Sequence, residues 1–147
     1  MPTETIAIAC DHGGVELKAL LKADLESQDY EVLDLGTDTD TSVDYPDFAY
    51  ALTSAITSGK ASRGILICGT GIGISIAANR HPDIRAAVVH DGLSARLSRE
   101  HNNANVLCLG ARLIGPEVAR DCLDIFLKTG FEGGRHSTRV EKLTHPR

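Results

Sequence analysis

Cys68 runs directly into Gly69-Thr70-Gly71-Ile72-Gly73. Glycines set after a strand and before a helix let the backbone approach an anion, and the helix N-terminus turns free N–H groups and positive potential towards it. The same potential favours a thiolate over a thiol. The segment thus couples a candidate base or nucleophile to an amide-lined anion loop, and three alternating glycines exceed what a tight turn needs. Single residues exclude several other loops. Ile74 stands where the dinucleotide fingerprint requires its third glycine, and also where a phosphatase-type C-x5-R loop requires its arginine. No Gly-Lys-Ser/Thr follows, so this is not a P-loop. The strand ahead ends in Cys rather than Asp, which disfavours a phosphoacceptor of the receiver-domain kind. Cys10, Cys108 and Cys122 have no such loop beside them and read as buried structural thiols.

Other polar residues fall at comparable places. Asp11-His12 comes before Gly13-Gly14; Asp11 alone suits a turn or a helix cap, whereas His12 beside two glycines points to a ligand contact. His101-Asn102 lies between two predicted elements, where a solvated histidine and a turn-forming asparagine are the ordinary reading. His81 and His145 read as solvated, and His90 at a strand end is open. Arg135 and Arg139 are four apart and share a helical face. In an acidic chain that pair is a plausible fork for a phosphate, and Arg112 can join it. A thiol, an amide loop, histidines and phosphate-binding arginines suffice for proton transfer on a phosphorylated small molecule. No metal-ligand spacing and no cofactor fingerprint accompanies them, so neither a metal nor a cofactor is expected.

These residues need a frame. Apolar runs at Thr5–Cys10, Glu31–Gly36, Gly64–Gly69, Arg85–Val89 and Asn105–Gly110 alternate with helical patterns over Val15–Leu25, Phe48–Ile56, Gly92–Glu100 and Pro116–Lys128. Strand–helix alternation with continuously apolar strands implies a parallel sheet covered on both faces. Ligands in such folds bind beyond the carboxyl ends of the strands. The tail from Arg135 to Arg147, with Arg135, Arg139, Lys142 and Arg147, suits a last helix that leaves the body of the domain.

Composition narrows the partners. The 147 residues match one domain, 1–147. The net charge of −5, the absence of Trp and an aromatic content of 4% leave little to neutralise phosphates or stack bases, so no nucleic acid is expected. No stretch reaches the ~18 apolar residues of a membrane span, and Met1–Asp11 lacks the basic start of a signal peptide. Four cysteines without a C-x-x-C pair read as reduced thiols in a cytoplasmic protein.

Six blocks, taken in order, resemble the ribose-5-phosphate isomerase B family of sugar-phosphate isomerases (the RpiB/LacA/LacB group). They are Cys10-Asp11-His12-Gly13-Gly14, Asp44-Tyr45-Pro46, Ile65 to Ser75, Ser94 to Asn102, Asn105-Val106-Leu107 and Glu132-Gly133-Gly134-Arg135-His136. The resemblance implies a three-layer α/β/α sandwich with a Rossmann-like, five-stranded parallel sheet. It implies interconversion of D-ribose 5-phosphate and D-ribulose 5-phosphate through a cis-enediolate. Cys68 would be the base at C2; some relatives use a Glu a few residues on, where this chain has Ser75. The amides of Gly69, Thr70, Gly71, Ile72 and Gly73 would cradle the enediolate, with Thr70 moving a proton between O1 and O2. His101 would open the furanose ring and Asn102 would contact a sugar oxygen. Asp11, His12 and Tyr45 would touch the ligand, with His12 near the phosphate, and Arg112, Arg135 and Arg139 would clamp the phosphate. The C-terminal helix would reach a neighbouring subunit's site in a homodimer or homotetramer. Relatives act on tetrulose 4-phosphates and on allose or galactose 6-phosphates as well, and a non-catalytic sugar-phosphate binder is the remaining alternative. Val15 and the Val89–Gly92 segment depart from what many relatives carry beside the sugar.

Overall fold

The computed structural model describes residues 3–146; Met1, Pro2 and Arg147, the last basic residue of the tail, lie outside the described residues. Its elements are β1 (Thr5–Cys10), α1 (Val15–Ser27), β2 (Glu31–Asp34), α2 (Tyr45–Thr57), β3 (Arg63–Cys68), α3 (Ile72–Ala78), β4 (Ala86–Val88), α4 (Gly92–Glu100), β5 (Val106–Gly110), α5 (Pro116–Lys128) and α6 (Arg135–Thr144). All strand pairs are parallel, in the order β2-β1-β3-β5-β4.

Side chains alternate across a strand, so each central strand feeds two cores. Ile6, Ile8, Ile65, Ile67, Leu107 and Leu109 point to the layer of α1, α4 and α5, where Leu21, Leu25, Ala95, Leu123 and Phe126 meet them. Ala7, Ala9, Leu66, Cys68, Val106 and Cys108 point to α2 and α3, against Ala49, Leu52, Ile74 and Ala78. The alternation therefore fixes which face the Cys68 thiol occupies: it lies under the start of α3.

The strands found match the apolar runs to within two residues at either end. β2 stops at Asp34 rather than Gly36 because the Asp34 carboxylate turns the chain. It accepts from Gly36 N–H at 3.0 Å and from the buried Lys18 ammonium at 2.7 and 2.8 Å; Lys18 also reaches Asp38 at 2.8 Å. Burial pulls the Lys18 pKa down, but the hydrogen bonds to Asp34 and Asp38 outweigh it and the net direction is up. Burial likewise opposes the charge on Asp34, and the Lys18 and Gly36 donors overcome it, so its pKa is lowered.

Helix starts follow local chemistry. Asp91 and Ser94 form a reciprocal capping box on α4, and prolines occupy the first turns of α2 and α5. α6 buries only His136, and its Leu143 is exposed. Among the described residues, no helix is long and apolar enough to cross a membrane.

Candidate active site

The chain leaves β1 for one side of the sheet and returns through β2 to β3 on the other, so a crevice opens between the carboxyl ends of β1 and β3. Cys68 is the last residue of β3, paired in register with Gly110 of β5. Its Sγ accepts from the Gly71 N–H at 3.1 Å, which fixes where the sulfur sits. That bond needs the loop to double back. Gly71 does so at φ +78°, a left-handed conformation suited to glycine. The other three thiols are placed differently. Burial pushes Cys10 up to about 12 and Cys122 up to about 11, and it raises Cys108 as well. All four are free cysteines.

Not all of the expected amide cradle remains open. Gly71 N–H is committed to Cys68 Sγ, and Ile72 N–H donates to Thr70 Oγ1 at 3.1 Å. The N–H groups of Gly69, Thr70 and Gly73 donate to no described backbone carbonyl. The loop thus divides its donors: Gly71 serves the thiol, and three amides stay available to an incoming oxygen.

The crevice residues surround this loop. Asp11 is buried and accepts from Gly13 N–H at 2.9 Å. A Cβ at Gly13 would lie 3.6 Å from the Gly69 nitrogen, so the β1 turn abuts the β3 loop. His12 Nδ1 accepts from Val43 N–H at 3.2 Å, which places the proton of a neutral imidazole on Nε2. The Tyr45 ring covers Gly73; a side chain there would come within 2.6–2.8 Å of it. Arg112 crosses the loop from the end of β5, its Cδ and Nε 3.4 Å from where a Gly69 Cβ would be. The structure therefore brings together Asp11, His12, Tyr45, Cys68, the Gly69–Gly73 loop and Arg112.

It does not bring the remaining four to them. α4 runs back across the sheet, so His101 and Asn102 emerge at the amino edge. There Gly64 N–H, at the start of β3, donates to Asn105 C=O at 3.0 Å. The four-residue rise from Val106 to Gly110 separates the two edges by about 13 Å. α6 starts at this same edge: His136 stacks on His101 with ring centroids 4.3 Å apart and planes at 15°. Arg135 and Arg139, both exposed, go with it. Asn102 lines a cavity of about 770 Å³ with Asn79, Arg85 and Leu143. One chain thus carries two half-sets, one with the thiol and the other with His101 and the helix arginines.

Two residues of the second half-set had no separate place in the sequence reading. Glu132 Oε1 lies 3.5 Å from His136 Nε2 and 3.8 Å from His101 Nε2. Burial lowers the pKa of His136, as do His101 and Arg135, with Glu132 acting the other way. The four-residue spacing of Glu132 and His136 was the available signal. Among the described residues, this trio is the group whose ligand atoms lie close enough to hold a metal.

A doubly wound parallel sheet, with a thiol and an anion loop at its switch point, defines a small-molecule α/β enzyme. Comparison with known proteins makes that class specific. The family model described as Ribose/Galactose Isomerase matches residues 6–143. Ribose-5-phosphate isomerase B of Escherichia coli (strain K12) is 48% identical over 139 residues, covering 95% of this chain and 93% of that protein. D-erythrulose-4-phosphate isomerase of Pectobacterium atrosepticum is 46% identical over 140 residues, covering 95% and 92%. The solved structure of Clostridium thermocellum ribose-5-phosphate isomerase B superposes with a TM-score of 0.94 at 53% identity, covering 95% of each chain. The chain belongs to the ribose/galactose isomerase family, in its ribose-5-phosphate isomerase B branch, and is a sugar-phosphate isomerase.

Proposed function

We propose that the chain interconverts D-ribose 5-phosphate and D-ribulose 5-phosphate through a cis-enediolate, with no cofactor, as one domain working in the cytoplasm. The observation that carries this reading is the Cys68 sulfur held at the switch point by the Gly71 amide, beside three open N–H groups. His101 donates a proton to the ring oxygen as the C1–O bond breaks, and the C1 hydroxyl releases its proton to water as it becomes the aldehyde. The Cys68 thiolate then takes the C2 proton of the aldose, and the electron pair moves towards the carbonyl oxygen. The Gly69, Thr70 and Gly73 amides receive the charge that develops there; each such donor contributes about 3 kcal/mol in enzymes of this kind. Thr70 passes a proton between O1 and O2, and the Cys68 thiol returns its proton to C1. Asp11, Tyr45 and Asn102 hold the sugar, and His12 lies near the phosphate. Arg112, Arg135 and Arg139 hold the phosphate, whose binding energy keeps the reacting carbon in place.

This scheme requires two copies. Cys68 and Arg112 lie at one edge of the sheet; His101, Arg135 and Arg139 lie at the other. α6 leaves most of its surface uncovered, as a helix that docks on a partner would. We therefore assign the enzyme to a homodimer, alone or paired into a tetramer, in which each thiol half-set meets a partner's histidine half-set. Similarity to a D-erythrulose-4-phosphate isomerase favours a second reading, with a four-carbon substrate. Comparing kcat/KM across tetrose, pentose and hexose phosphates decides between them. The highest value for ribose 5-phosphate supports the pentose reading, and a higher value for the four-carbon substrate overturns it.

A further inference from the structure

His101, Glu132 and His136 come from three places: the end of α4, the loop before α6 and the first turn of α6. One ligand atom of each residue lies within 4.8 Å of the others, and Glu132 Oε1 is 3.8 Å from His101 Nε2 and 3.5 Å from His136 Nε2. These separations are long for direct hydrogen bonds, which fall between about 2.7 and 3.2 Å. They are close to the spacing of ligands around one ion: bonds of about 2.0–2.1 Å in tetrahedral geometry put donors about 3.4 Å apart. A second observation points the same way. The His136 side chain is only 7% exposed and donates or accepts no hydrogen bond among the described residues, so its Nε2, 3.5 Å from Glu132 Oε1, is left to water or an ion. Beside the Glu132 carboxylate, His136 thus keeps a largely sheltered imidazole. His101 and Glu132, at 36% and 52% exposed, have room to turn towards it, and His101 must rotate out of its stack to do so.

We propose that His101, Glu132 and His136 form a binding site for a divalent cation of the zinc, cobalt or nickel class, with a fourth position left to water. Two imidazoles and one carboxylate select this class over magnesium and calcium, which favour all-oxygen shells. The site's three ligands come from one chain, a strand length from that chain's own Cys68. Its consequence rests on the ring-opening reading: a bound ion occupies His101 Nε2 and holds the imidazole away from the sugar. The cation is therefore an inhibitor of turnover on the cyclic substrate.

The test uses the full chain, reduced and stripped with a chelator. Zn2+ is titrated by calorimetry, and Co2+ is followed by its visible ligand-field absorption. One ion should bind per chain. Glu132→Gln and His136→Ala should each weaken binding by roughly 100-fold or more, since losing even an outer-sphere partner of a metal ligand costs about 10–100-fold. Cys68→Ser tests whether a thiol from a partner chain completes the shell: binding as in the parent supports the three-residue site, and loss of binding overturns it. The exposed Glu132→Gln keeps the test decisive if His136→Ala misfolds. No saturable binding, or affinity unchanged in Glu132→Gln, overturns the site. Binding that is lost in Glu132→Gln but leaves turnover untouched upholds the site and instead removes His101 from ring opening.

Discussion

Gly71→Ala isolates the geometry that holds the thiol. Gly71 sits at φ +78°, ψ −14°. An L-residue there costs about 1–2 kcal/mol. Its new Cβ would also lie 3.0 Å from the Leu109 carbonyl carbon, 3.2 Å from the Gly110 nitrogen and 3.2 Å from the Leu109 oxygen. These are backbone atoms of β5, a central strand, and no side-chain rotation relieves them. The loop must move instead, and the combined cost is about 2–4 kcal/mol. The same movement withdraws the Gly71 N–H from Cys68 Sγ, now at 3.1 Å. Displacing a reacting group by about 1 Å costs on the order of 100-fold in rate. The assay is paired: urea unfolding for stability, and the rate of ketose formation from ribose 5-phosphate for catalysis. Gly69→Ala is the control. Its Cβ would meet only the flexible Arg112 side chain, at 3.4–3.5 Å, so stability should change by no more than about 0.5 kcal/mol. Wild-type stability and kcat in Gly71→Ala would refute the reasoning.

Cys68→Ala and His101→Ala should each be inactive alone and recover part of the activity when mixed and allowed to exchange chains, because a mixed dimer holds one intact site. Failure to recover in a mixture shown to contain mixed dimers would contradict the divided site. Arg112→Ala should raise KM for the phosphorylated sugar more than it lowers kcat; an unchanged KM would remove Arg112 from the phosphate. Lys18→Met should destabilise the fold by about 1–2 kcal/mol, because the 18% exposed Asp34 carboxylate would keep only Lys22 at 3.3 Å and the Gly36 N–H as partners. The lowered Asp34 pKa gives stability that is present above its ordinary value of 3.8 and lost as the pH falls through the folded value. The raised Lys18 pKa gives stability that is present below 10.5 and lost as the pH rises through its own folded value. The stability gap between wild type and Lys18→Met should therefore be flat near neutrality and narrow below pH 3.8 and above pH 10.5. A gap that widens in acid would contradict this assignment.

The sheet was legible because β1, β3 and β5 are buried on both faces, which demands unbroken apolar runs. The Cys68–Gly73 loop was legible for a related reason: alternating glycines after such a run have few other uses. Other features were hidden by distance along the chain. Glu132 and His136 lie some 30 residues beyond His101 and meet it only because α4 and α6 share the amino edge. The family resemblance alone separates the helix arginines from the thiol; for His101 the division is hidden, because residue type does not reveal the direction in which α4 returns. Nothing in the sequence marks Lys18 for burial, since only the fold brings Asp34 and Asp38 over it. The commitment of the Gly71 and Ile72 amides inside the loop depends on backbone dihedrals that sequence spacing does not specify.

The central claim is that the Cys68 sulfur removes the carbon-bound proton. It is tested most directly by incubating ribose 5-phosphate with Cys68→Ala in deuterated water and following deuterium at C2 of the aldose and C1 of the ketose by NMR, with sugar-phosphate binding measured in parallel. The account predicts incorporation with the wild-type enzyme and none with the variant, while binding persists. Incorporation by Cys68→Ala at the wild-type rate would contradict it.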